Sequence, residues 1–311
     1  MIINSLKKIW IAALILFLCM IVSLYTANTR LMENLRGNLI FTTSDNIKNI
    51  KKIIIENSSE KLTLYEDESV WRIEEADNYY VNFHKIQSLM NAIANAKIGN
   101  FLAPELKNDL TWTTIKIFDA NNKKLGEAMV SNASELDEHY IKYPKDDKIY
   151  ISTWKLQLPE NIISWVPQHN NLVDGVDVNS ISKQDVTISR ETRGSSFLYA
   201  QNKSTYHRFE YVKIFDILTN LQYEKVLSAQ EFDESKYPYV EKIQISTFDG
   251  LVVDLSVYSN YEEYWLKIDI STTRLPSYKI KDYVETNSFL FKNWWFKLPQ
   301  DEGKILFMMK L

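Results

Sequence analysis

Apolar and polar positions follow three rhythms along this chain. The first is continuous: residues 9–29 hold 21 positions without a charge, from Ile9-Trp10-Ile11 through Cys19-Met20-Ile21-Val22 to Thr29. A helix of that length at 1.5 Å per residue covers about 31 Å, close to the hydrocarbon thickness of a bilayer. A core helix of a water-exposed domain carries a polar face, and this stretch has none. Lys7 and Lys8 precede the run and the next charge is Arg30. The positive-inside rule then leaves the N-terminus in the cytoplasm and sends the rest across, with Trp10 and Tyr25 as interface anchors. A cleaved signal peptide is the alternative. A cut after Ala27 would put Tyr25 where a small residue is required, so the uncleaved anchor is preferred. Cys19, the single cysteine, follows Leu18 rather than the small residue of a lipid-attachment site and reads as part of the span.

The second and third rhythms have periods of two and of three to four. Residues 52–56 and 61–65 are short β-branched or alternating runs separated by Asn57-Ser58-Ser59-Glu60, a hairpin signature, and residues 70–73 add a third strand. A helix is predicted near residues 84–96, with Ile86, Leu89, Met90 and Ile93 on one face. Strands are predicted at 113–118, 125–130, 138–143 and 148–152, and a partly helical stretch at 154–165 is interrupted by Pro159. The order then recurs. Residues 185–189 and 196–200 form a hairpin, 212–227 a helix with Ile214, Ile217, Leu218 and Leu221 on one face, and 242–248, 251–258 and 264–268 strands. Phe248-Asp249-Gly250-Leu251 supplies a tight turn.

Sliding the chain on itself, so that Lys85 meets Lys213, superposes these patterns without a gap. Lys85-Ile86 falls on Lys213-Ile214, Leu89 and Ile93 on Ile217 and Leu221, Ile115 and Ile117 on Ile243 and Ile245, and Met129 on Val257. The expected class is therefore α+β: a transmembrane helix, then two repeated units of antiparallel sheet covered by an amphipathic helix. The chain divides into a cytoplasmic N-terminus (1–8), the anchor (9–29), a juxtamembrane link (30–48) with one apolar patch at Leu39-Ile40-Phe41, a first repeat (49–168), a linker (169–177) and a second repeat (178–311). The two copies can pack side by side or extend a common sheet.

Composition adds limits. With 45% hydrophobic and 13% aromatic residues the exported part can bury a sizeable core. Without cysteine outside the span it relies on packing rather than disulfides. The net charge is −4, and the segment before Arg30 carries only Lys7 and Lys8 (+2), which leaves −6 outside. That balance gives no basic footprint for nucleic acid.

An ordered set of segments resembles a known family. After the span come Arg36-Gly37-Asn38-Leu39-Ile40-Phe41, then Ile50-Lys51-Lys52-Ile53-Ile54-Ile55-Glu56, Lys61-Leu62-Thr63-Leu64 and Ser69-Val70-Trp71-Arg72-Ile73. The helix from Lys85-Ile86 and the strand Lys148-Ile149-Tyr150-Ile151 follow. In this order they resemble the domain-of-unknown-function family numbered 4340 of bacterial membrane-anchored proteins. In place of that family's acidic-Tyr-Gly-Leu segment the chain has Leu106-Lys107-Asn108-Asp109-Leu110. The resemblance implies a role beside ABC-type transport systems, including those related to gliding-motility auxiliary proteins. Integral membrane transporter subunits would be the partners, and the folded part would lie on the periplasmic side of the inner membrane. It implies no catalytic residues.

Chemical motifs are sparse. Seven glycines include no phosphate-binding loop, so the chain is not itself expected to be the ATPase. There is no Gly-x-Ser-x-Gly elbow or His-Glu-x-x-His helix. His84, His139, His169 and His207 lie without metal-ligand spacing, and no metal or cofactor is expected. The adjacent acids Glu74-Glu75, Asp146-Asp147 and Glu262-Glu263 point to opposite faces if extended, so none forms a glycosidase pair alone. The expected role is non-enzymatic binding. An envelope-facing enzyme or glycan-binding module is the alternative, and it requires an exposed cleft with converging carboxylates and a flat aromatic ring. The candidate contact residues are Trp294 and Trp295. In a strand one faces inward and its neighbour outward, and an outward Trp would meet a partner, a glycan or the membrane surface. Packing in the core or between the repeats is the preferred reading.

Overall fold

A computed structural model describes Met20, Ser23 and residues 38–41, 44–101, 110–132, 139–144, 148–152, 158, 161–169, 172–201 and 210–308. The expected anchor, residues 9–29, lies outside the described residues except for Met20 and Ser23, which are helical. Among the described residues no helix is long and apolar enough to cross a membrane.

The chain forms β1 (Lys52–Glu56), β2 (Lys61–Asp67), β3 (Val70–Ile73), β4 (Tyr79–Tyr80), α1 (Phe83–Asn95), β5 (Ile98–Phe101), β6 (Thr113–Phe118), β7 (Lys124–Asn132), β8 (His139–Lys142) and β9 (Ile149–Ser152). There follow β10 (Val178–Lys183), β11 (Val186–Ser189), β12 (Leu198–Tyr199), α2 (Glu210–Thr219), β13 (Lys225–Ser228), β14 (Tyr239–Thr247), β15 (Leu251–Ser259), β16 (Tyr264–Thr272), α3 (Tyr278–Asn287), β17 (Trp294–Lys297) and α4 (Gln300–Met308). The strands lie in two sheets and every pairing described is antiparallel. Two compact units result, each discontinuous in sequence: residues 1–61 with 87–158, and residues 62–86 with 159–311.

In the first unit the strands run β1-β6-β7-β8-β9-β5. Ile53 and Ile55 of β1 and Ile115 and Ile117 of β6 are buried on one face, as alternation requires. Along α1, Leu89 and Ile93 are likewise buried, at the helical spacing. The apolar patch beside the expected anchor belongs to this core: Ile40 and Phe41 are buried, and Ile40 N–H donates to the Ala96 carbonyl at 2.9 Å. Gly126 in β7 lies against the Phe41 carbonyl so closely that a Cβ there would sit 1.5 Å from its oxygen.

In the second unit β2, β3 and β4 form a meander, and the eight-stranded sheet runs β12-β11-β10-β14-β15-β16-β17-β13. From β10 onward this path repeats the first unit step for step. The strand before the helix neighbours a four-strand meander, and the strand after the helix returns to the far edge beside the last of the four. The turn between β14 and β15 uses Gly250 at φ +99°, the left-handed backbone that glycine tolerates.

Several elements differ from the expected ones. The helix predicted at 212–227 ends at Thr219, and its tail becomes β13, because Lys225–Ser228 pairs with β17. The stretch predicted as partly helical at 154–165 contains a 3-10 turn at Ile163–Trp165; residues 153–157, 159 and 160 lie outside the described ones. The strands β4, β5 and β10 and the helices α3 and α4 have no counterpart among the expected elements. In β7 the slide of the chain on itself is one position out. Ile115 pairs with Ala128 where Ile243 pairs with Leu255, so Val130 rather than Met129 faces the core as Val257 does. A bulge between Ile117 and Phe118 accounts for the slip, and a slip by one position exchanges the faces of a strand.

Candidate functional site

The two tryptophans singled out in the sequence point to opposite faces of β17, and only the face of Trp295 is covered. Trp295 is 5% exposed and stacks on Phe232, with centroids 5.0 Å apart and planes 18° from parallel. Trp265 and Tyr258 complete this cluster, and the Lys267 ammonium lies 5.1 Å above the Trp295 ring. A polar network closes its edge. Glu263 accepts from Lys297 Nζ at 2.8 Å and from the Tyr237 hydroxyl at 2.7 Å. The hydrogen bond from Lys297 holds the Glu263 carboxyl down at about 2. Burial, together with the neighbouring Glu263 carboxylate, pushes the Tyr237 hydroxyl up to about 12. Each charged group here already has a partner, so the network acts as a brace.

Trp294, on the other face, is half-buried and forms part of a concave wall. Its ring meets Tyr79 edge-on at 4.7 Å and Tyr80 at 6.3 Å, and Tyr80 in turn meets Phe289 at 4.9 Å. Trp294, Tyr80 and Phe289 border an open pocket of about 550 Å³ in the second unit. Its polar lining is Arg72, Asp77, Asn78, Ser228, Gln230, Glu231, Lys292 and Asn293.

Local chemistry explains why these segments converge. The 3-10 turn Glu74–Ala76 ends in Asp77 and Asn78, both left-handed, at φ +56° and +65°. Asn293, also left-handed at φ +67°, precedes β17. Asp and Asn adopt that backbone more readily than other side-chain-bearing residues, and such positions gather at functional sites. Each asparagine is followed by two aromatic residues, Tyr79-Tyr80 and Trp294-Trp295, which a strand sends to opposite faces. Asp77 accepts a hydrogen bond from Ser228 N–H at 2.6 Å and so joins the two walls. The Arg72 guanidinium lies 5.1 Å over Tyr80 and donates to the Asn78 carbonyl at 3.2 Å and to Asp67 at 3.2 Å.

Tyr79 is the buried support beneath. It is fully enclosed, and its hydroxyl donates to the Leu290 carbonyl at 2.7 Å. That uses its only proton, so the 3.1 Å contact with His169 Nε2 requires the ring to donate from that nitrogen. Burial lowers the His169 pKa to about 4, which keeps the ring neutral near pH 7. Tyr223 packs on the same histidine and donates to the Pro167 carbonyl.

The other residues considered from sequence lie elsewhere. Glu75 accepts from Thr63 N–H at 2.6 Å, Glu263 belongs to the brace, and residues 146–147 and His207 lie outside the described residues. His84 is exposed and His139 is buried. Among the described residues no three His, Cys, Asp or Glu side chains gather as metal ligands. Sequence reasoning does not find Arg72, Asp77, Asn78, Tyr80 or Phe289. The recurrence of asparagine before an aromatic pair is the one signal that could have found part of the site.

Compared with family models, with curated proteins and with solved structures, the chain has no match.

Proposed function

We propose that this chain is a non-enzymatic accessory protein of the bacterial cell envelope. Residues 9–29 anchor it as a single membrane-spanning helix, its folded part lies on the periplasmic side, and the aromatic pocket of the second unit is its binding site. The observation that carries the binding role is the pocket itself. Three rings and a full set of hydrogen-bonding groups face an open concavity, a composition suited to holding a ligand. The groups with displaced pKa packed beneath its aromatic wall, Tyr79 and His169, are hydrogen-bonded into the fold. That arrangement favours recognition over proton transfer.

The matching strand paths of the two units, together with the superposed apolar pattern, support descent from one duplicated α+β unit. The family resemblance supports assigning the protein to an ABC-type transport system, as a partner of its integral membrane subunits. Purification of the full chain from cross-linked native membranes tests this. Recovery of a permease and its ATPase in amounts comparable to the bait is the expected result. Their absence, with the bait itself recovered intact, would remove the transport assignment.

A further inference from the structure

We propose that the pocket bordered by Trp294, Tyr80 and Phe289 binds an uncharged saccharide. This deepens the binding role assigned to that pocket and rests on it. The lining carries Arg72 and Lys292 against Asp77 and Glu231, two charges of each sign, so it favours no strongly ionic ligand. A phosphate or polyanion site would concentrate cations, and an acidic pair would be absent from it. A purely apolar ligand would leave the Gln230 and Asn293 amides facing it without partners, at a cost for each buried group.

A sugar ring satisfies both halves of the lining. Its C–H face is apolar and flat enough to lie against aromatic rings. Its equatorial hydroxyls both donate and accept, as the side-chain amides do. Two of the rings are held in place: Trp294 meets Tyr79 edge-on, and Tyr80 contacts both the Arg72 guanidinium and Phe289. The left-handed backbone at Asp77, Asn78 and Asn293 directs three polar residues into the lining at fixed positions. Such preorganisation reduces the entropy lost on binding. A volume of about 550 Å³ lies within the range of small-molecule sites and admits one or two sugar rings.

Saturation-transfer NMR on the full chain in detergent micelles tests this with three neutral probes, the tetrasaccharides of β-1,4-linked N-acetylglucosamine, α-1,4-linked glucose and β-1,4-linked mannose, and with tetra-alanine as a peptide control. Transfer to ring C–H protons of at least one saccharide is expected. Two variants locate it. Phe289→Ala removes a ring that is 47% exposed, and Asn293→Gly removes the amide while keeping the left-handed backbone. Each is expected to weaken the saccharide at least tenfold with the thermal midpoint nearly unchanged. Transfer to no saccharide, transfer that survives both variants, or transfer to the peptide alone would each overturn the proposal. These outcomes are independent of membrane co-purification, so a wrong ligand class and a wrong transport assignment give different results.

Discussion

His169 shows how one buried side chain sets a pH dependence. The unfolded chain takes up a proton at this ring near pH 6.5, whereas the folded ring resists protonation until about pH 4. Above pH 6.5 the ring is neutral in both states and contributes no slope. Between pH 6.5 and 4 the unfolded state binds more protons, so stability falls as the pH falls, by about 3 kcal/mol across the interval. Denaturant titrations from pH 7.5 to 4 measure it. His169→Gln is expected to lower stability at neutral pH, because the packing of the ring on Phe291 and Phe296 is lost, and to flatten this acid limb. An acid limb as steep in the variant as in the parent chain would assign the slope to other groups. Trp294 and Trp295 were legible as a pair on opposite faces, because strand alternation alone fixes that. Their environments were not, since they depend on Tyr79 and Phe232, which lie far from them along the sequence.

At the scale of elements, Lys183 is informative. It ends β10 at the place that Ile55 holds in β1: Ile55 and Lys183 differ in number by the same step as their partners Ile115 and Ile243. Ile55 fills an apolar core. Lys183 is equally buried, but its ammonium donates to the Phe307 carbonyl at 2.7 Å and lies 3.6 Å from Glu241. A cation at the end of α4 also complements the helix dipole. Gly303 completes the docking, since a Cβ there would lie 2.3 Å from the Cβ of Tyr264. Lys183→Met is expected to cost about 1–3 kcal/mol, with α4 amides gaining the most in hydrogen-exchange rate. Unchanged protection of α4 would show that other contacts hold the helix. The sequence pattern exposes most strands and α1 because their periods are clean. It misses β10, whose Val178-Asn179-Ser180-Ile181-Ser182-Lys183 spaces its apolar residues by three, and it extends α2 into β13, where pairing with β17 outweighs helical period.

For the molecule as a whole, the determining feature is that the second unit takes residues 62–86 from within the sequence span of the first. A sequence-derived boundary at residues 169–177 divides the repeats, but it leaves β2, β3 and β4 on the N-terminal piece. Residues 159–311 alone would lack Tyr79, which packs against Trp294, Phe296 and His169. Losing a buried aromatic ring of this kind costs about 3–5 kcal/mol, a large part of a domain's stability. The fragment 159–311 is expected to melt without a cooperative transition, and joining residues 62–86 to it through a flexible linker is expected to restore one. Circular dichroism melts compare the two. A lone fragment as stable as the full chain would show that the borrowed meander is dispensable.

The same borrowing imposes an order in time. Tyr79 must wait for Leu290, 211 residues later, to receive its hydroxyl proton. At ordinary synthesis rates of about 5–20 residues per second the delay is about 10–40 s. During that interval Tyr79, fully buried in the finished protein, exists before Trp294 and Phe296, the rings it packs against. The early part of the chain therefore needs shelter, from a chaperone or from provisional contacts, until the last strand arrives.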